Sequence, residues 1–517
     1  MGSLRGVLAV FVVVAGASLW GMVSAAGAAS VSLISGESPF AGCSTPAVSD
    51  QLFVNAEVEP DVAANPARPR NLIAVWQQDR WGAGGANGIA AGYSFDGGRT
   101  WGETPLPFSV CATGGVAYDR ASDPAVSFGP DGTAYAIGLS FDLTTPRSAV
   151  VAAVSKDGGR SWSGPLPIAT DQTGGFDKEW ITADPVHAGT AYAVWDNLLV
   201  DPTTGHYTGP SLFSKTTDYG QTWSTPVAIA ATGADEQSLG NQIRVDRGTG
   251  RLYDIYGFYS CTCASIPQVA YVTSDDGGAS WSAQHVISAM LPVGVVQPGT
   301  GAPVRSGSFP VSAISPTGQV YVAWQDSRFS GGSYDEIAIS STKDGGESWS
   351  VPQRVNRPTG RAAFTPSIAV SSSGTVGVAY YDLRRDNIFD AVFSADYWGT
   401  TSRDGMHFTG DHHLAGSFDL LTAPFAFGFF VGDYEGLTAI RNDFVAVFAQ
   451  TNCTTSGCES NPTDIYSAHF GARAGSQASS NLNTASAPST VAIRNASATT
   501  AVLKGARPAS TGRHTAR

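Results

Sequence analysis

The chain has 517 residues, of which 42% are hydrophobic, only 14% are charged and 60 are glycine. This composition supports a large core and indicates a turn-rich rather than a helix-rich fold. The formal net charge of −13 argues against nucleic acids and anionic membranes as binding partners.

Residues 1–29 have the pattern of a secretory signal peptide. Arg5 precedes an apolar run from Val7 to Trp20, and small residues follow that run. The run is shorter than the roughly 20 residues that span a bilayer, which favours a cleaved signal over a retained anchor. We therefore expect residues 30–470 to form a secreted domain that makes no contact with the membrane.

Six cysteines fit an oxidising, extracellular compartment. Cys43 could pair with Cys111 at long range, and Cys453 and Cys458 could close a small loop, although six cysteines leave the connectivity open. Because no histidine pattern accompanies these cysteines, a metal site is the weaker interpretation. We expect no metal and no cofactor.

One turn-like motif, Ser/Thr-x-Asp-x-Gly-x-Ser/Thr-Trp, recurs with a period of about 60 residues and signals a repeat architecture. Its aspartate can accept hydrogen bonds from the backbone of its own turn, and its glycine allows a positive φ. Its tryptophan places a large ring at the start of the next strand, where the ring can be buried between sheets. Five good copies and one worn copy begin at Ser94, Ser155, Thr216, Ser274, Thr342 and Ser402.

These motifs resemble the Asp boxes of the sialidase-like β-propellers, and the resemblance extends from about residue 50 to residue 470. It implies an all-β propeller of four-stranded blades. It also implies that the Asp boxes join strands three and four on the face opposite the active site. The motif that is easiest to see is therefore expected to be structural.

The number of blades follows from the strands that begin each unit. Similar starts occur near residues 59, 123, 181, 243, 309, 366 and 433, which favours seven blades, with the six of familiar sialidases as the alternative. The last unit lacks a fourth strand. A strand from residues 30–54 could supply it and close the ring, because closure removes exposed sheet edges. Residues 471–517 are rich in Ala, Ser, Thr and Asn, and they predict a disordered tail.

The loops that join strands two and three carry three arginines that are candidates for substrate binding: Arg80, Arg328 and Arg384. Guanidinium groups bind carboxylates through a rigid two-pronged fork. The resemblance implies that such a triad binds the carboxylate of an acidic sugar. The alternative is that each arginine only fixes its own loop by pairing with the neighbouring aspartate: Asp79, Asp326 and Asp382.

The entrances to the first strands carry acids, and four residues there are our catalytic candidates: Asp61, Asp123, Tyr434 and Glu435. The resemblance implies a tyrosine nucleophile, which needs a carboxylate to take its proton. Neighbouring residues of a strand point to opposite faces, so the partner of Tyr434 would come from another blade. The alternative is that these acids cap strands and neutralise the arginines.

The predicted function is that of a secreted, monomeric exo-α-sialidase-like glycoside hydrolase acting on terminal acidic sugars of glycans. Sialidases carry an Arg-Ile-Pro motif near their start, and this chain has none. That departure keeps two alternatives open. One is a non-catalytic propeller that binds glycans or proteins, and the other is a glycosidase of different specificity that uses paired carboxylates such as Asp61 and Asp123.

Overall fold

The computed structural model describes residues 31–43, 45, 50–230, 232–260, 265–453, 458 and 460–471. This part of the chain is nearly all β-structure, with two short 3-10 helices and no α-helix. It contains no helix that is long and apolar enough to span a membrane. The predicted signal peptide, the predicted tail beyond Gly471, and Cys261 and Cys263 lie outside the described residues.

The strands follow one another in four-stranded antiparallel units. The first unit contains β2 (Glu57–Ala64), β3 (Leu72–Arg80), β4 (Ala86–Ser94) and β5 (Gly102–Leu106). The second contains β6 (Arg120–Phe128), β7 (Ala134–Phe141), β8 (Ser148–Ser155) and β9 (Leu166–Asp171). The third contains β10 (Phe176–Ala183), β11 (Ala191–Asn197), β14 (Ser211–Thr216) and β15 (Val227–Ala230).

The later units repeat this order. The fourth contains β16 (Glu236–Val245), β17 (Leu252–Ser260), β18 (Gln268–Ser274) and β19 (His285–Ala289). The fifth contains β22 (Val311–Ile314), β23 (Val320–Asp326), β24 (Glu336–Thr342) and β25 (Gln353–Arg354). The sixth contains β26 (Ala363–Val370), β27 (Val376–Asp382), β28 (Ser394–Ser402) and β29 (Thr409–Asp419).

The last unit joins the two ends of the described chain. It contains β31 (Gly436–Ile440), β32 (Asp443–Thr451) and β33 (Thr463–Gly471), and β1 (Val31–Leu33) pairs with β33 as its fourth strand. Disulfides Cys43–Cys111 and Cys453–Cys458 form, as the sequence suggested. The first of them attaches the N-terminal segment to the connection between the first and second units.

Two insertions interrupt the regular order. A small hairpin, β12 (Leu199–Val200) and β13 (Tyr207–Gly209), lies between β11 and β14. A second hairpin, β20 (Val295–Val296) and β21 (Pro303–Ser306), pairs in parallel with β30 (Phe429–Gly432). The 3-10 helices are Arg328–Ser330 and Leu420–Thr422.

The core lies between neighbouring units. The second strands are buried over most of their length, and β3, β23 and β27 are buried throughout. These strands are apolar runs rather than alternating ones, because sheets pack against both of their faces. Trp76, Trp195 and Trp324 are fully buried there.

The repeated motif forms the turn between the third and fourth strands, and we call this turn the Asp turn. In the first copy, Asp96 accepts hydrogen bonds from the backbone N–H groups of Arg99 and Thr100 at 2.9 and 3.0 Å. The Ser94 hydroxyl accepts from the Gly98 N–H at 2.9 Å, and Gly98 has a φ of 85°. Trp101 is half-buried and packs against the hydrophobic core. The turn therefore satisfies its own polar groups.

Candidate active site

The innermost strands surround one channel. A cavity of about 300 Å³ is lined by side chains from the first strand of every unit, including Asp61, Val126, Trp180, Arg244 and Tyr434. The chain enters each of these strands at the same end of the channel, which we call the upper end. Side chains placed at the strand starts therefore meet there.

A backbone irregularity recurs at the upper end. The pairing of the first and second strands shifts register in five units, and one residue at each shift has a positive φ. These residues are Glu59, Asp123, Lys178, Gly240 and Thr365, with φ values of 54°, 49°, 49°, 70° and 46°. A bulge turns a side chain out of the regular alternation, and a positive φ costs a non-glycine residue about 1–3 kcal/mol. The fold accepts this strain at four non-glycine positions around the channel.

The bulges bring charged side chains together around the ammonium group of Lys178. Its Nζ atom contacts the carboxylate of Asp123 and lies 2.9 Å from Asp433 and 3.4 Å from Glu59. All four side chains are buried, with exposures of 8% or less. A buried ammonium of this kind requires compensating charges close by.

Arg305, from the inserted strand β21, adds a second cation. Its Nε and Nη2 atoms donate to the two carboxylate oxygens of Asp433 at 3.1 and 2.5 Å. About a quarter of its side chain is exposed, so it is the member of the group that meets solvent. We call Glu59, Asp123, Lys178, Arg305 and Asp433 the bulge cluster.

Arg80 approaches the bulge cluster indirectly. Its Nη1 atom donates to the side-chain oxygen Oε1 of Gln77 at 2.5 Å, and the side-chain amide Nε2 of Gln77 donates to Glu59. The guanidinium groups of Arg80 and Arg305 lie 4.7 and 4.4 Å from the centroid of the Phe430 ring. Arg80 is buried, has no carboxylate in ion-pair contact among the described residues, and its Nε has no partner there.

The carboxyl groups around Lys178 differ in pKa. Burial raises the pKa of Glu59 to about 8, in spite of the opposing charge of Lys178. Burial likewise raises the pKa of the half-buried Asp177 to about 6. Burial also acts on Asp433, but the charges of Lys178 and Arg305 outweigh it and hold the pKa of that carboxyl well below its usual range. At neutral pH the site thus combines a protonated carboxyl with an ionised one.

Three of the four catalytic candidates lie deeper in the channel, beneath the bulge cluster. The Tyr434 hydroxyl donates to the carbonyl of Pro124 at 3.0 Å, and burial raises its pKa. Glu435 accepts from the Tyr381 hydroxyl at 2.8 Å, and Asp61 accepts from the Val126 N–H at 2.9 Å. Tyr434 and Glu435 do not hydrogen-bond to each other. Only Asp123 belongs to the bulge cluster.

The three candidate arginines share no partner. Arg328 donates to Asp326 through Nε and Nη2, both at 2.7 Å, and to the carbonyl of Ala289 on an outermost strand. Arg384 pairs with Asp382 and with Asp411, also on an outermost strand. For these two, the contacts are those of the alternative considered above, in which each arginine fixes its own loop. Only Arg80 lies beside the bulge cluster.

Sequence reasoning missed Lys178 and Arg305. Lys178 occupies the position in its strand that Glu59 and Asp123 occupy in theirs, so an alignment of strand starts could have found it. Arg305 comes from an insertion outside the repeated pattern and gives no such signal. In the described part of the chain, no group of three or more His, Cys, Asp or Glu side chains is arranged to hold a metal ion.

No family model and no curated protein matches this chain. Solved structures that resemble it include a Penicillium chrysogenum α-L-arabinanase complexed with arabinobiose, at 15% identity over 64% of this chain and 92% of that one, with a TM-score of 0.42. A polysaccharide lyase, ulvan lyase, has 13% identity over 80% and 94%, with a TM-score of 0.45. A leech intramolecular trans-sialidase has 14% identity over 82% and 69%, with a TM-score of 0.40. At this level of similarity, the assignment of a function rests on the geometry of the bulge cluster.

Proposed function

We propose that this chain is a secreted, seven-bladed Asp-box β-propeller and a glycoside hydrolase of the exo-α-sialidase type. Residues 1–29 would be its signal peptide, residues 30–470 its monomeric propeller and residues 471–517 its tail. The four-stranded units around one channel support the propeller, and the self-contained Asp turns support the Asp boxes. The two disulfides fit an oxidising compartment.

One observation carries the catalytic proposal: the carboxyl groups around Lys178, which include Asp177 beside the bulge cluster, have pKa values that are pushed apart. Such a separation distinguishes a general acid from an ionised partner. Asp177 is partly exposed and has a pKa of about 6, so it can donate a proton to the leaving oxygen of a glycoside. Asp433 remains ionised and can stabilise the positive charge that develops on the sugar ring. A water molecule would then form the new bond to the anomeric carbon and release a proton to solvent, from which Asp177 is reprotonated.

Two arginines support an acidic sugar as the substrate. Arg305 uses two of its five N–H groups on Asp433 and is partly exposed, so it can also bind a substrate carboxylate. Arg80 stacks on the same Phe430 ring, and its Nε has no hydrogen-bond partner among the described residues. The exposed ring of Phe427, at the tip of the loop that precedes Phe430, can pack against the apolar face of a sugar.

In this proposal Tyr434, Glu435 and Asp61 support the cluster from below. Tyr434 remains the alternative nucleophile that the resemblance implies. A Tyr434→Phe variant separates the two roles, because a nucleophile is essential, whereas a supporting residue is not. We expect this variant to keep most of its activity.

A second function, a glycan-binding propeller without catalysis, is favoured by one observation. Each charged group of the bulge cluster already has an opposite charge within the protein, and most of the cluster is buried. Such a cluster can hold the upper end of the channel rigid without taking part in a reaction. Binding of a glycan without turnover would identify this function.

The test is hydrolysis of a panel of fluorogenic glycosides by the purified full chain. The panel contains an α-sialoside, a β-glucuronide, an α-L-arabinofuranoside and neutral hexosides. We expect release from the sialoside, a loss of about 100-fold or more in Arg305→Gln, and normal rates in Glu347→Gln, an exposed control. If no glycoside of the panel is hydrolysed but the sialoside binds in a manner that depends on Arg305, the result would favour the binding propeller.

A further inference from the structure

The lower end of the channel differs in charge from the upper end. A second cavity, of about 520 Å³, lies where the innermost strands end, and it is continuous with the first because both are lined by Arg244 and Thr182. Arg244, Arg247 and Arg441 line this second cavity. None of its described lining residues is an aspartate or a glutamate. We call this cavity the lower mouth.

Arg244 is the innermost cation of the lower mouth and is held firmly. Its guanidinium donates to the carbonyl of Ser312 at 3.0 Å, to the carbonyl of Ile243 at 3.2 Å and to Gln242 at 2.9 Å. It also lies 5.4 Å from the centroid of the Trp180 ring. These bonds use three of its five N–H groups, which leaves two that can bind a ligand.

Arg244 has no carboxylate in ion-pair contact within the described part of the chain. The nearest acid that influences it is Asp61, and burial lowers the pKa of Arg244 to about 10. Arg244 is half-buried, and partly removing a guanidinium from water without an ion-pair partner is unfavourable. The arrangement therefore favours an anion taken from solution.

Two acids lie in the turns beside the lower mouth, but their own turns occupy them. Asp184 accepts from the N–H groups of Val186 and His187, both at 2.8 Å. Asp246 accepts from the Gly248 N–H at 2.9 Å. Neither acid forms an ion pair with an arginine of the lower mouth. Within the described part of the chain, the three arginines of the lower mouth thus form no ion pair, in a protein whose formal net charge is −13.

We propose that the lower mouth is a binding site for an oxyanion group: a sulfate, a phosphate or the carboxylate of a sugar. The two remaining N–H groups of Arg244 would bind the anion inside the cavity, and the exposed side chains of Arg247 and Arg441 would bind it from the rim. The cavity volume is within the range of small-ligand sites, about 300–1,000 Å³. This site is separate from the bulge cluster and does not depend on the proposed hydrolase activity.

The experiment is isothermal titration calorimetry of the full chain at low ionic strength. The probes are sodium sulfate, inorganic phosphate, methyl glucuronide and, as a neutral control, methyl glucoside. We expect one-to-one saturable binding of at least one anion and none of the neutral sugar. Binding of the inorganic ions alone would assign the site to free oxyanions, and tighter binding of the glucuronide would assign it to acidic sugars.

Matched variants locate the binding. We expect Arg244→Gln to weaken it by about tenfold or more, since the charge-assisted contact of a half-buried guanidinium is lost. The double variant Arg247→Gln/Arg441→Gln changes only exposed residues, so it tests the site even if Arg244→Gln does not fold. We expect this double variant to bind the anion severalfold more weakly. Arg160→Gln, on an Asp turn, is the control. Absence of saturable binding of every anion, or unchanged affinity in the double variant and in folded Arg244→Gln, would overturn the proposal.

Discussion

Asp276 lies in an Asp turn and Asp177 lies beside a bulge, and these two settings shift the pKa values of the two aspartates in opposite directions. In the turns, Asp276 is exposed, and hydrogen bonds from Ser280 lower its pKa to about 2. At the bulges, burial raises the pKa of Asp177 to about 6. The turns keep their residues constant from unit to unit. The bulges keep the backbone constant and vary the side chain, from Glu59 to Lys178 to Gly240.

This difference indicates which repeat is structural. A position that needs the same side chain in every unit serves the unit itself. A position that repeats a strained backbone but changes its side chain can build one asymmetric site from symmetric parts. The upper end of the channel is therefore the place where the units differ from one another.

The largest expected effect comes from removing the central cation of the bulge cluster. Lys178→Met leaves Glu59, Asp123 and Asp433 buried without their shared partner. We expect a loss of about 3–5 kcal/mol in the free energy of unfolding, as for other broken buried ion pairs. Urea denaturation would measure it, with the exposed Lys343→Met as control. Equal stability of the two variants would contradict the role given to the cluster.

The pH dependence of stability gives the next effect. The pKa of Glu59 rises on folding to about 8, and the pKa values of Asp61 and Asp177 rise to about 6. Between the unfolded and the folded pKa values of these carboxyls, the folded state therefore binds more protons than the unfolded state. Stability is then greatest below the unfolded pKa of these carboxyls and is lost as the pH rises towards 8. We expect a higher Tm at about pH 5 than at about pH 8. The Glu59→Gln variant should show a smaller difference between the two pH values, and an unchanged difference would contradict the assignment.

Breaking one Asp turn should have a smaller effect. Asp276→Ala removes an exposed carboxylate that only its own turn uses. We expect the Tm to fall by only a few degrees, and we expect catalysis and ligand binding to be unchanged. Differential scanning calorimetry would measure the shift. A loss of activity in the folded variant would show that the turns contribute to function.

The smallest effect is expected at Phe427, beside the upper end of the channel. Phe427 is 76% exposed and has a φ of 63°, so Phe427→Ala loses little packing and should leave the stability of the fold unchanged. If its ring contacts the substrate, KM should rise severalfold while kcat stays constant, because this contact is equal in ground and transition states. Steady-state kinetics on the best glycoside of the panel, with the exposed Phe389→Ala as control, would check this.

The resemblance of the repeated motif to Asp boxes implied the all-β fold and the four-stranded units. Both described disulfides join cysteines that the sequence offered as pairs, although it left the connectivity open. The pairing of β1 with β33 was also expected, because an open ring leaves exposed edges. The site was harder to predict, because the bulges turn side chains such as Lys178 out of the regular strand alternation. The position of Arg305 could not be predicted from the sequence, since this residue comes from an insertion whose pairing with β30 has no local sequence signal. Arg80 and Arg328 occupy corresponding loops, so their positions in the sequence did not show that only Arg80 lies beside the bulge cluster.

The central claim is that the chemistry resides at the bulges and not at the Asp turns. The most direct test compares kcat/KM for the sialoside in Asp177→Asn and Asp276→Asn, since both replace one carboxylate by an amide in a repeated motif. We predict that Asp177→Asn loses about 100-fold or more, as expected for a general acid, and that Asp276→Asn stays within about twofold of the unmodified protein. Equal rates in the two folded variants would contradict the claim.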